Sequence, residues 1–207
     1  MLEEVKHLGH ASIRIESTKI VYIDPFNIKN PKKDADLIFC THSHYDHLSI
    51  KDIKLISKDS TKLIVPSEAI AAAKESKLNI VEVEPNKNYT IDSVSFSTVP
   101  AYNIGKSFHP KSKNWVGYII FLNNTIYYHS GDTDFIPEMK NIKADIIFLP
   151  VGGTYTMNWK EAAEAANTIS CSYAIPIHYG DIVGSKNDAQ NFVNEIRLPK
   201  KGVILIE

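Results

Sequence analysis

Short runs of apolar and β-branched residues, each ended by Gly, Pro or charged positions, recur along the whole chain. Those at 12–16, 19–24, 36–41, 62–65, 79–83 and 94–99 are rich in Ile, Val, Tyr and Phe and are predicted strands. The second half repeats the pattern at 115–122 and 125–129, joined as a hairpin through Asn123-Asn124, and again at 145–151, 173–178 and 203–206. The run 145–151 is almost continuously apolar, which predicts a strand buried on both faces. Helical spacing interrupts the strands. Ser49 and Asp52 form a capping-box pattern before Ile50, Ile53 and Ile56. An Ala-rich segment follows Pro66 to about residue 77. Asn158 and Glu161 cap a further Ala-rich helix to about residue 168, and a last helix is predicted over 187–195.

Each half is thus a set of strands followed by helices, an α/β (α+β) pattern. Two such halves with their sheets face to face give a four-layer αββα sandwich of two β-sheets flanked by helices. No Ser/Gly-rich linker, low-complexity tract or short-period repeat divides the 207 residues, so one domain over 1–207 is expected. Lys and Arg total 23 against 24 Asp and Glu, for a net charge of −1. This balance argues against a chain that grips nucleic acid or anionic membrane through a global positive field. The N-terminus has no apolar signal core, and the longest apolar runs fall far short of the ~20 residues of a membrane span. Two cysteines, Cys40 and Cys171, exclude a disulfide scaffold and fit a reducing compartment, so a cytoplasmic protein with no membrane partner is expected.

The candidate chemistry lies in the eight histidines. The segment His42-Ser43-His44-Tyr45-Asp46-His47 follows the 36–41 strand and precedes the helix capped by Ser49. His42 and His44, two apart, project to one side at a strand end, and Asp46 and His47 fall in the turn. Four ligand-type side chains in one strand-to-helix turn can converge on one volume. Imidazole suits Zn, Fe or Mn, and a carboxylate adds neutralising charge.

This turn resembles the signature of the metallo-β-lactamase-fold metal-dependent hydrolase superfamily, in its small single-domain branch of intracellular zinc-dependent hydrolases. Leu8-Gly9-His10-Ala11-Ser12, Ile23-Asp24-Pro25-Phe26, Tyr128-His129-Ser130-Gly131-Asp132-Thr133, and the segments 150–157 and 175–180 resemble its other blocks in order. The resemblance implies the metallo-β-lactamase fold and a binuclear site with two Zn ions, Mn or Fe being alternatives. His42 and His44 would bind one ion, Asp46, His47 and His178 the other, and Asp132 would bridge them. Asp132 and His178 stand at polar strand ends, with Gly131 and Gly180 allowing close backbone approach. The third histidine of the first ion is missing: the family's Pro-Ala-x-His step reads Pro100-Ala101-Tyr102-Asn103. Either Asn103 or His109, six residues on, is left to complete that site. His129 and Asp24 are candidates to orient the ligands. The resemblance places His10 near the mouth, facing substrate, and His7 is left a structural role.

The loop 102–114 carries Lys106, His109, Lys111 and Lys113 and no acid, which points to a small anionic substrate. Backbone N–H groups of the Gly152-Gly153-Thr154 turn are a second candidate anion contact. The expected reaction is hydrolysis of a phosphodiester- or lactone-type ester by a hydroxide held on the ions, with Asp46 passing the proton to the leaving group. A serine elbow is absent and Cys40 lies in an apolar strand, which disfavours covalent catalysis. The contrasting readings are a non-catalytic metal-binding or regulatory protein on this fold, and a ribonuclease Z-like nuclease. The second is disfavoured by the balanced charge and the lack of an inserted arm.

Overall fold

The computed structural model describes residues 1–205. One mixed sheet runs in spatial order β1 (Val5–Gly9), β2 (Ser12–Glu16), β3 (Ile20–Ile23), β4 (Ala35–Phe39), β5 (Ser57–Pro66) and β6 (Asn79–Val83). Its first three strands pair antiparallel; from β3 to β6 the pairing is parallel. Crossovers carry α1 (Ile50–Ile56), between β4 and β5, and α2 (Ile70–Ala73), between β5 and β6. The other sheet holds β7 (Asn88–Ile91), β8 (Val94–Pro100), β9 (Val116–Leu122), β10 (Thr125–His129), β11 (Ile146–Pro150), β12 (Tyr173–Ile177) and β13 (Lys201–Gly202), neighbours in chain order. Between its last strands lie α3 (Trp159–Thr168) and α4 (Lys186–Asn194).

Side-chain alternation turns these sheets into four layers. On β4, Leu37 and Phe39 enter the core shared by the two sheets, whereas Ile38 packs outward with Ile53 and Ile56 of α1. On β11, Ile146 and Phe148 point into the shared core, and Ile147 and Leu149 meet Ala162, Ala165 and Ala166 of α3. All five residues of β11 are buried, as a strand covered on both faces requires. The order helix, sheet, sheet, helix is the predicted αββα sandwich. Among the described residues no helix is long and apolar enough to cross a membrane.

Local differences from the sequence pattern have identifiable causes. β1 hides its alternation because a buried histidine, His7, occupies an inward position. The strand ending at Pro66 is longer than 62–65 and starts in the polar run 57–61. The Ala-rich segment after Pro66 is a 3₁₀ turn, one short α-helical turn and another 3₁₀ turn. Ser49 caps α1 as expected, but the Asp52 carboxylate accepts from the Asn27 and Ile28 backbone N–H groups rather than closing a capping box. Asn158 does form the full box with Glu161. The final strand is Lys201–Gly202, with Val203 N still bonded to Ala174 O; Val203–Leu205 are outside any strand, and Ile206 lies outside the described residues.

β4, β10, β11 and β12 all run to the same rim, and their C-terminal ends deliver residues 41–47, 130–134, 151–157 and 178 to one place. Phe39 ties the sheets together beneath it, its ring 5.0 Å from both Phe96 and Tyr118 and edge-on to them. Phe39→Ala should therefore lower unfolding free energy by about 3–5 kcal/mol, read as a reduced midpoint in urea with an unchanged slope.

Candidate metal centre

Three groups of metal-ligating side chains converge at that rim, each with its ligand atoms within 4.8 Å of one another: His42, His44 and His109; His42, His47 and Asp132; and His10, Asp46, His47 and His178. Asp132 lies between the first and last. Its Oδ2 is 3.3 Å from His109 Nε2 and 3.1 Å from His178 Nε2, and its Oδ1 is 3.4 Å from His47 Nε2. Asp46 Oδ2 is 3.6 Å from His47 Nε2 and 3.7 Å from His178 Nε2.

The supporting bonds fix which ring nitrogen faces the centre. Asp24, fully buried, accepts from Thr41 N at 2.8 Å, from Thr41 Oγ1 at 2.7 Å and from His47 Nδ1 at 2.7 Å. The Thr41 hydroxyl proton goes to Asp24, so its oxygen accepts from His42 Nδ1 at 3.0 Å. One carboxylate thus orients His47 directly and His42 through Thr41. His129 holds the Asp132 turn instead: its ring donates from Nε2 to Ala11 O at 2.9 Å and accepts at Nδ1 from the Gly131 N–H at 3.2 Å. Gly131 has φ +63°, and a Cβ there would meet the Thr41 side chain at 2.9 Å. Gly180 has open space around it and serves through its φ of +88° rather than through close approach. His10, Asp24 and His178 all adopt left-handed backbone at this rim, with φ of 49°, 47° and 58°.

Asn103 does not take the place of the absent histidine; it orients His109. Its Oδ1 accepts from His109 N at 3.0 Å, and its Nδ2 donates to Tyr155 O at 2.9 Å and Asp134 Oδ1 at 3.2 Å. His109 Nδ1 faces two acceptors, Asn103 Oδ1 and Tyr155 O, each at 3.2 Å. The proton therefore sits on Nδ1, and the Nε2 lone pair is aimed at Asp132. A lone pair facing a carboxylate is repulsive unless a cation lies between them. His47 Nε2, His109 Nε2 and Asp132 Oδ1 are buried without a hydrogen bond, a donor set that fits a metal.

Charge follows the same arrangement. Burial pushes His42 well below the ordinary histidine value and lowers His44, keeping both rings in the neutral form a metal needs. Burial opposes ionisation of Asp132, but the His178 and His47 rings outweigh it and hold the carboxyl well below its usual range. Burial likewise opposes protonation of His47 and His178, yet Asp132, with Asp24 also acting on His47, lifts His47 well above its ordinary value and His178 to about 9. The carboxylates attract positive charge here, from protons or from a cation. Burial also pushes the Cys40 thiol well up, so it supplies no nucleophile.

Other expected contacts fall elsewhere. His10 is 1% exposed and donates from Nε2 to Asp46 Oδ2 at 2.9 Å, beneath the site rather than at its mouth. Lys106 reaches Asp134 at 2.6 Å and Thr156 O at 2.8 Å, Lys111 pairs with Glu138 and Lys113 with Glu68; none lines the cavity. Gly153 N and Thr154 N are bonded to Met157 O and Gly152 O and are not presented to an anion. Two supports leave no signal in the sequence. The Trp115 ring lies tilted 4.8 Å from His42 and edge-on 4.9 Å from His44, and Glu68 accepts from Trp115 Nε1 and from Ser43 between the two histidines. No spacing rule joins 68 to 115; only the fold does.

Two sheets with this histidine and aspartate centre at their shared rim define a metallo-β-lactamase fold. A family model, the Beta-lactamase superfamily domain, matches residues 4–178. A UPF0173 metal-dependent hydrolase of Pyrococcus abyssi is 34% identical over 218 residues, covering 98% of this chain and 96% of the relative. Its counterpart in Thermococcus kodakarensis is 35% identical over 204 residues, covering 91% and 90%. A metal-dependent hydrolase by name from Parabacteroides distasonis superposes with a TM-score of 0.84 at 30% identity, over 97% of this chain and 91% of that one. The metallo hydrolase Igni18 of Ignicoccus hospitalis shares the fold at a TM-score of 0.80 and 21% identity, over 97% and 94%. The chain belongs to the metallo-β-lactamase superfamily and, within it, to the UPF0173 metal-dependent hydrolase family.

Because Asn103 fixes the His109 tautomer, Asn103→Ala should weaken metal binding by about 10- to 100-fold. Competition against a chelator measures this, with Lys111→Ala, on the exposed Glu138 pair, as the control expected to keep full affinity.

Proposed function

We propose that this protein hydrolyses an ester bond, of the phosphodiester or lactone type, in a small substrate, using two metal ions. His42, His44 and His109 would hold one ion and Asp46, His47 and His178 the other, with Asp132 between them. The carrying observation is that buried, unpaired ligand atoms meet at the floor of a cavity of about 230 Å³ lined by His44, Asp46, His109, Asp132 and His178. Zn suits this imidazole-rich set best, and Mn and Fe are the other occupants it accepts. When bound, such ions supply Lewis acidity, acidifying water and polarising an ester oxygen.

The chain's own groups provide the rest. Asp46 lines the cavity and is fixed by His10, so it is placed to take a proton from the attacking water and hand it to the leaving oxygen. The new bond joins the water oxygen to the ester carbon or phosphorus, the bond to the leaving oxygen breaks, and that oxygen receives the proton. His10 keeps the Asp46 carboxylate in one orientation through the exchange. Anion attraction in the cavity falls to the ions, since the loop lysines are paired with Asp134, Glu138 and Glu68. The non-catalytic reading drew on the missing third histidine; His109, grouped with His42 and His44, removes that ground. A nuclease of the ribonuclease Z kind gains no support from lysines so engaged.

Zinc-loaded protein should turn over simple phosphodiesters or lactones, and Asp132→Ala should lose at least about 1,000-fold in kcat/KM together with bound metal. Full activity in that variant contradicts the proposal. Metal uptake should also depend on pH in a defined direction. His178, lifted to about 9, and His47 hold protons at neutral pH that an ion must displace. Affinity therefore rises with pH above neutral as these rings give up their protons, which metal titration across that range would show.

A further inference from the structure

The cavity above the donor set has two unlike parts. Its floor is polar and carries the ligating residues; its walls are Tyr45, Phe108, Tyr155 and Ile182. Three of these expose large apolar surface, Tyr45 67%, Phe108 45% and Ile182 39%, although the rim is otherwise densely packed. The wall is held in place. Phe108 stands edge-on to Tyr155 with centroids 4.8 Å apart, and Tyr155 O is tied to Asn103 and His109. Tyr45 stands edge-on to Phe26 at 5.8 Å. Among the described residues no Lys, Arg or Glu lines the cavity, and the three lysines of the covering loop are each bonded to a carboxylate elsewhere.

We propose that this aromatic collar is the specificity determinant, and that it selects an uncharged apolar substituent, a single ring or short hydrocarbon, next to the scissile group. The inference rests on the hydrolytic reading above and deepens it by naming the substrate class. Size supports the choice: a cavity of about 150 Å³ holds benzene, so 230 Å³ takes one ring plus the reacting group. Chemistry supports it equally. A charged substituent here would lose water against aromatic walls with no counter-charge to meet, whereas a ring is buried at a gain.

Three phosphonates with one head group and different tails test this without requiring turnover. Phenyl-, methyl- and carboxyethylphosphonate are titrated into zinc-loaded protein by calorimetry. The head group reaches the ions and the tail meets the collar. The phenyl compound should bind about 10- to 100-fold more tightly than the methyl one, and the carboxylate-tailed one most weakly. Phe108→Ala and, separately, Ile182→Ala should each bring the phenyl-to-methyl ratio toward one, with bound zinc measured in both. Ile182 is not adjacent to a ligand, so it guards against displacement of His109 in the first variant. Equal affinities, a preference for the carboxylate tail, or no binding of any of the three overturns the proposal. A phenyl preference without hydrolysis of any ester would sustain the collar and contradict the hydrolytic reading, so the two fail separately.

Discussion

The structure depends on one electrostatic constraint, a buried set of imidazoles and carboxylates that needs positive charge, from protons or from a cation, between its members. His109 Nε2 and Asp132 Oδ2 face each other at 3.3 Å with no proton to share, because the His109 proton is committed to Nδ1. Asp132 Oδ1 and His47 Nε2 are buried and unbonded alongside. Such a set is costly in a folded protein unless positive charge enters it. The shared rim brings the set together by strand topology, since β4 of one sheet and β10, β11 and β12 of the other end there. Left-handed backbone at His10, Asp24 and His178 completes the convergence.

A second tier of bonds makes the arrangement specific. Asp24 governs His47 and, through Thr41, His42. Asn103 governs His109, and Glu68 with Trp115 braces the His42 and His44 side. An asparagine in place of a ligand is thus not a loss of the site. The loop from 103 to 109 uses the amide as a template and brings its histidine from six residues further along. The same loop anchors itself through Lys106 on Asp134 and Thr156 O, which removes the lysine from the cavity and leaves Phe108 to form its wall.

Much of this was legible in the chain. The alternating apolar runs gave the two sheets, because strands buried on both faces, such as Ile146–Pro150, leave an unmistakable pattern. The spacing of His42, His44, Asp46 and His47 marked the centre, because those ligands share one turn. What stayed hidden depends on long-range packing. β1 was masked by His7, whose burial no period reveals. The lysines of 102–114 read as an anion trap because their acids, Glu68, Asp134 and Glu138, lie far away in sequence. The resemblance puts His10 at the mouth, whereas the bond to Asp46 draws it beneath the site. Asn103 and His109 stood as alternatives, and only the three-dimensional bonds distinguish the residue that orients from the residue that points inward.

The most direct test is zinc stoichiometry by elemental analysis, comparing the unaltered chain with His109→Ala. If His109 completes the first ion's site, the unaltered protein carries two equivalents and the variant one, with the Asp46, His47 and His178 side still filled. Two equivalents retained in the variant, or none in the unaltered protein, would contradict the central claim.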